Sequence, residues 1–208
     1  MTVQYSRESL ERYFAPGIDD CRPKNLRNLS TEIVDNSWLQ NHFLNSIFGH
    51  KLSEEWRARF VVLAFRNSSA LAAYERARLS CETFVDKSVD GHPATRAYFD
   101  AIANWEMAIL NVHHAIDVFR QLEGVSFDED ADSANLREIA NRIKHCAEDI
   151  QSGKHGALTI PMWMTGISLK TRTSEVSFCA LAESIVSIAK TLEELQNPTT
   201  LRSKGRLT

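Results

Sequence analysis

Between Leu136 and Ile150 the sequence LREIANRIKHCAEDI sorts by helical phase into two sides. Arg137, Asn141, Lys144, His145 and Glu148 share an arc of roughly 100°. An imidazole that titrates near neutrality, two cations and an amide on one surface are the parts for metal-independent cleavage of a phosphodiester. In that chemistry His145 is the acid or base, Arg137 clamps the phosphate and Asn141 positions it, with Lys144 and Glu148 adding binding contacts in a site shared across a homodimer. The alternative is a solvated helix surface on which Arg137 or Lys144 pairs with Glu148 at little energetic gain.

A second group of residues follows in the stretch 153–176. Lys154, His155, Trp163, Lys170 and Arg172 form a basic and aromatic mixture able to stack on bases or to cover the His145 face as a lid. Against this, Ile160, Met162, Trp163 and Met164 can pack over the open end of a helical bundle. Glu106, His113 and Asp117 lie along one line, and the i, i+4 spacing of His113 and Asp117 suits a two-residue metal clamp. A helical di-iron site, however, needs Glu-x-x-His, and no histidine here has a Glu three residues before it. A hydrogen-bonded pair at the core margin is the simpler reading, and no metal or cofactor is expected. The acidic run Asp128 to Asp132 opens like a calcium loop but has Ser133 at the glycine position and Ile139 at the bidentate acid position. Asp132 or Ser133 then reads as a helix N-cap.

The elements that must position these residues are helices. Ser6 to Ala15 reads as a short helix ended by Pro16-Gly17, and Ser30 reads as the cap of a helix running to Gly49 through Ile33, Trp38, Phe43 and Ile47. Ser53 with Glu54 and Glu55 opens a long helix reaching Phe84 or Val85. Its arginines, Arg57, Arg59, Arg66, Arg76 and Arg78, are interleaved with glutamates and read as a solvated face. Tyr98, Ile102, Trp105, Ile109, Val112, Ile116 and Phe119 then alternate four and three residues apart, as do Phe178, Leu181, Ile185, Ile188, Leu192 and Leu195. On the Leu136 helix, Ile139, Ala140, Ile143, Cys146, Ala147 and Ile150 make the apolar arc. The expected fold is all-α: residues 1–30 an N-terminal arm and loop, 31–196 a bundle of about five main helices with an irregular loop or short hairpin at 153–176, and 197–208 a flexible tail.

Composition narrows the function classes. The chain has 208 residues, 43% hydrophobic and 25% charged, and 8 Gly with 5 Pro leave little punctuation for a strand-rich fold. A net charge of −3 confines any nucleic-acid binding to a local patch. Cys21, Cys81, Cys146 and Cys179 form no C-x-x-C pair and read as reduced, buried thiols. No signal peptide and no membrane-length apolar run is present, so a cytoplasmic protein is expected. The absence of GxGxxG, Walker, GxSxG and HExxH motifs removes support for dinucleotide enzymes, P-loop NTPases, serine hydrolases and zincins.

From about Tyr98 to Pro198, an all-helical chain with Asn141-Arg142-Ile143-Lys144-His145 late in the sequence resembles the HEPN superfamily of bacterial helical proteins. The KH helix followed by Pro161-Met162-Trp163-Met164-Thr165 is also similar to a group of bacterial proteins sharing a P-x-W-x-T loop. The resemblance implies binding of RNA or a protein partner in defence or toxin-antitoxin systems, a homodimer and, in active members, RNase activity. The family pattern separates its Arg and His by roughly four to six residues. Here seven residues separate Arg137 from His145, and two separate Arg142 from it. The competing expectation is a non-enzymatic interaction module, and a helical metal oxidase is a third.

Overall fold

The computed structural model describes residues 7–17, 22–24, 26–33, 38, 40–41, 53–88, 94–121, 130–153 and 160–196. In chain order these contain α1 (Arg7–Tyr13), α2 (Leu29–Glu32), α3 (Glu54–Lys87), α4 (Thr95–Arg120), α5 (Ala131–Lys144), α6 (Cys146–Gln151), β1 (Trp163–Met164), β2 (Ser168–Lys170), β3 (Glu175–Ser177) and α7 (Phe178–Gln196). The architecture is mostly helical, as expected, with a small sheet as the addition.

The long α3 begins where the sequence places it, because the Ser53 side chain accepts the Trp56 N–H at 3.2 Å. Its interior has no Gly or Pro to interrupt it, and its 34 residues extend about 51 Å. Against it lies α4, whose four-three seam is buried from Tyr98 through Ile116. Tyr74 meets Trp105 edge-on at 5.1 Å and Phe84 meets Tyr98 at 5.5 Å, so rising numbers on one helix face falling numbers on the other. The two are therefore antiparallel. Trp105 is the hub: its ring also lies 5.0 Å from Phe178 of α7, and its indole N–H donates to the Cys81 sulfur at 3.4 Å. Arg59 pairs with Glu55, Arg66 bonds Asn111, Arg76 bonds Asn104, and Arg78 pairs with Glu75 and Glu82, which uses these cations within the fold.

The N-terminal segment contributes to the core more than an arm would. Leu10, Ala15 and Leu29 are fully buried, and Phe14 packs edge-on against Phe99 at 5.0 Å. Helix α2 starts one residue before Ser30, with Asn28 in the cap position but without a side-chain capping bond. Glu75 of α3 does that work instead, accepting the Leu29 N–H at 2.7 Å and the Ser30 N–H at 3.3 Å. α2 stops at Glu32, where the expected helix would continue; Trp38 is buried, and its carbonyl accepts from Gln196 at 2.7 Å. The remainder of that expected helix lies largely outside the described residues, as does the tail 197–208.

Where an irregular loop or hairpin was expected, residues 163–177 form a three-stranded antiparallel meander, β1-β2-β3. Trp163 faces Lys170, Leu169 faces Val176, and Lys170 faces Glu175, to which it is paired at 3.1 Å. Both connecting turns use the same device. The Thr165 hydroxyl accepts the N–H groups of Ile167 and Ser168, and the Thr171 hydroxyl accepts those of Thr173 and Ser174. Met162, Met164, Leu169 and Val176 are buried against the bundle, and the last strand runs directly into α7.

Candidate functional site

Helix α5 is capped by Asp130 rather than by the expected Asp132 or Ser133, because its carboxylate accepts the Ser133 N–H at 2.7 Å. Those backbone and hydroxyl bonds from Ser133 hold the Asp130 carboxyl below its usual range. The expected single helix from Leu136 to Ile150 is two. At His145 the backbone leaves helical geometry, with φ −102° and ψ 14°, and α6 begins at the next residue. An Arg142–Asp149 ion pair at 3.2 Å spans the break. In a straight helix those residues would be separated by a rise of about 10 Å, so the bend is what lets them meet.

The bend divides the apolar arc. Leu136, Ile139 and Ala140 are buried and Ile143 is partly so, but Cys146 is only partly covered, and Ala147 and Ile150 are exposed. Of the thiols expected to be buried, Cys81 is, whereas Cys179 is exposed with its sulfur 3.3 Å from Glu183.

On the polar face, His145 Nδ1 lies 3.0 Å from Glu148 Oε2. Both are open to solvent, with 56% of the His145 side chain exposed. Arg137, Asn141 and Lys144 are exposed as well. Arg137 stands eight residues before His145, a rise of about 12 Å, and long helical side chains lean toward the helix N-terminus, away from the imidazole. The nearer candidate, Arg142, is held by Asp149 and lies 3.7 Å from Glu138. The arginines and the imidazole are thus not drawn to one phosphate-sized point. Lys154 and His155 lie outside the described residues. Trp163 is buried in β1, as its packing alternative anticipates. Beside it Arg142, Asp149, Thr171 and Arg172 line a cavity of about 20 Å³, room for about one water.

Behind this face, α4 presents a cluster whose extent was not recognised from sequence. His113 is buried with Nε2 3.4 Å from Asp117, the pairing expected from their spacing. Burial depresses His113, the nearby Lys144, His114 and Arg120 push the same way, and Asp117 opposes them. His114 is depressed by burial and by Lys144 and Arg66. Burial raises Glu106, and burial together with the charges of Glu106 and Asp149 raises the Cys146 thiol. Lys144 therefore acts electrostatically on His113 and His114 of α4. Among the described residues no three His, Cys, Asp or Glu groups converge as a metal site, and no helix is long and apolar enough to cross a membrane.

Two features were missed in the sequence. The repeated T-x-x-S of Thr165–Ser168 and Thr171–Ser174 signals the two turns of the meander. Val61, Val62 and Phe65 on α3, within the apolar run Phe60 to Phe65, are 40%, 43% and 54% exposed. The chain matches no protein-family model, no curated protein and no solved structure.

Proposed function

We propose that the chain is a cytosolic, non-enzymatic interaction module that docks a protein partner through its helical surface. The setting of His145 carries this reading: the imidazole is 56% exposed, bonded to Glu148, and lines neither the cavity beside Trp163 nor the one at the start of α5. Acid-base catalysis needs a substrate held in place by other groups around the titrating atom. Here the best-placed cation, Arg142, is committed to Asp149. On α3, Val61 and Val62, four and three residues before Phe65 on the helix, offer with it an exposed apolar surface of the kind that partner proteins or a second copy of the chain cover.

A second reading, binding of RNA in a defence or toxin-antitoxin setting, is supported by exposed Lys144 on the helix that resembles HEPN proteins. Incubation of total RNA with the wild-type protein and with His145→Ala, read both for retarded mobility on a native gel and for cleavage, separates the readings. The module neither retards nor cleaves the RNA in either sample. Cleavage by the wild type that His145→Ala abolishes would overturn it and restore His145 as an acid or base.

A further inference from the structure

A cavity of about 210 Å³ lies at the other end of α5, some 20 Å along the helix from His145. It opens between the end of α4, the start of α5 and the middle of α7. Its floor is apolar, with Ile116 and Ile188 buried and Phe119 partly so. Carboxylates of Asp130, Asp132 and Glu183 stand at exposed positions around it, and none of its described lining residues is Lys, Arg or His. Arg27 Nη1 lies 4.0 Å from the Glu183 carboxylate.

The hydroxyls around the cavity sharpen its chemistry. Ser184 donates to the Ala180 carbonyl at 3.0 Å, and Thr191 donates to the Ser187 carbonyl at 3.1 Å. A carbonyl can only accept, so both hydroxyl protons are committed to the helix backbone and the oxygens are left with lone pairs. Ser133 similarly directs its N–H and hydroxyl to Asp130. Among the described lining residues, carboxylate and hydroxyl oxygens able to accept therefore outnumber the donors, of which the Ser187 hydroxyl is one. The α5 N-terminus contributes about half a positive charge, which the three surrounding carboxylates outweigh.

We propose that this cavity binds a primary alkylammonium group, its stem over Ile116, Phe119 and Ile188 and its nitrogen at the carboxylate rim. An ammonium has three donors and no acceptor, the complement of this lining. The cavity is smaller than the roughly 300–1,000 Å³ of sites for drug-sized ligands, which restricts the occupant to a short, unbranched stem. A free diamine and the side chain of a lysine share that chemistry.

Titrating pentane-1,5-diamine, Nα-acetyl-lysine amide and pentan-1-ol separately into ¹⁵N-labelled protein tests the proposal. Both amines shift the amide signals of Ser133, Ser184 and Ser187 saturably, and the tighter of the two identifies the source. The alcohol shifts them at least about fivefold more weakly. The variant Asp132→Asn/Glu183→Gln, changed only at exposed positions, keeps the wild-type spectrum elsewhere and weakens amine binding about 2- to 20-fold. Equal response to the alcohol, equal response to sodium chloride at matched ionic strength, unchanged affinity in the folded double variant, or no saturable shift from either amine would each overturn it.

Discussion

Glu75 joins parts of the chain that are 46 residues apart, and replacing it should loosen the N-terminal segment. Its carboxylate is only 14% exposed and accepts the Leu29 N–H at 2.7 Å, the Ser30 N–H at 3.3 Å and Arg78 at 2.9 Å. A bond to a charged acceptor contributes about 1.5–3 kcal/mol. The Ser30 bond is exposed and long, so water replaces it at little cost, and Arg78 retains Glu82 at 2.6 Å. Glu75→Ala is thus expected to cost about 2–4 kcal/mol, mostly through the Leu29 N–H. Glu75→Gln keeps an acceptor oxygen without the charge and should cost about 1–2 kcal/mol. Urea unfolding followed by circular dichroism measures both, with the midpoint falling at constant slope. For a chain of this length the alanine variant should melt roughly 4–15 °C below wild type. Hydrogen exchange gives the local counterpart, because the Leu29 amide should lose protection before α3 and α4 do. An alanine variant within about 0.5 kcal/mol of wild type, with Leu29 still protected, would refute the claim that Glu75 anchors α2.

Trp105→Ala removes the ring that touches Tyr74 and Phe178 and should cost about 3–5 kcal/mol in urea unfolding, whereas Trp105→Phe, which keeps a ring but not the bond to Cys81, should cost about 1–2 kcal/mol. Glu106→Gln should stabilise the protein at pH 7. Burial raises the folded carboxyl above its ordinary 4.5, so the folded state holds more protons than the unfolded chain from there upward, and this group's contribution falls as pH rises through the folded value. The variant's advantage should therefore vanish below about pH 4.5, which unfolding curves at several pH values measure.

The helices of the bundle were legible where burial and local spacing agree. Every seam position from Tyr98 to Ile116 is buried, and Ser53 caps α3, because a four-three repeat and a capping hydroxyl act within a few residues. The bend at His145 was not legible. No Gly or Pro marks it, and it accompanies a pairing of Arg142 with Asp149 that helical periodicity does not contain. Helical phase alone placed Arg137 beside His145 without regard to rise along the axis or to the lean of the side chains. Strands of two and three residues are too short for an alternation pattern to stand out, and their threonine turns were the readable mark instead.

The joint between Ser177 and Phe178 has no connector. The Ser177 hydroxyl accepts the Ala180 N–H at 3.0 Å, while the Phe178 N–H donates to the Ile167 carbonyl at 3.1 Å, so the strand's last residue also starts the helix. A single residue inserted there would rotate α7 by about 100° and advance it about 1.5 Å. Leu181, Ile185 and Leu192 would turn off the core together, even though no side chain had been altered. Length at this joint is therefore under tighter constraint than residue identity, and indels should be far rarer there than substitutions among the chain's descendants.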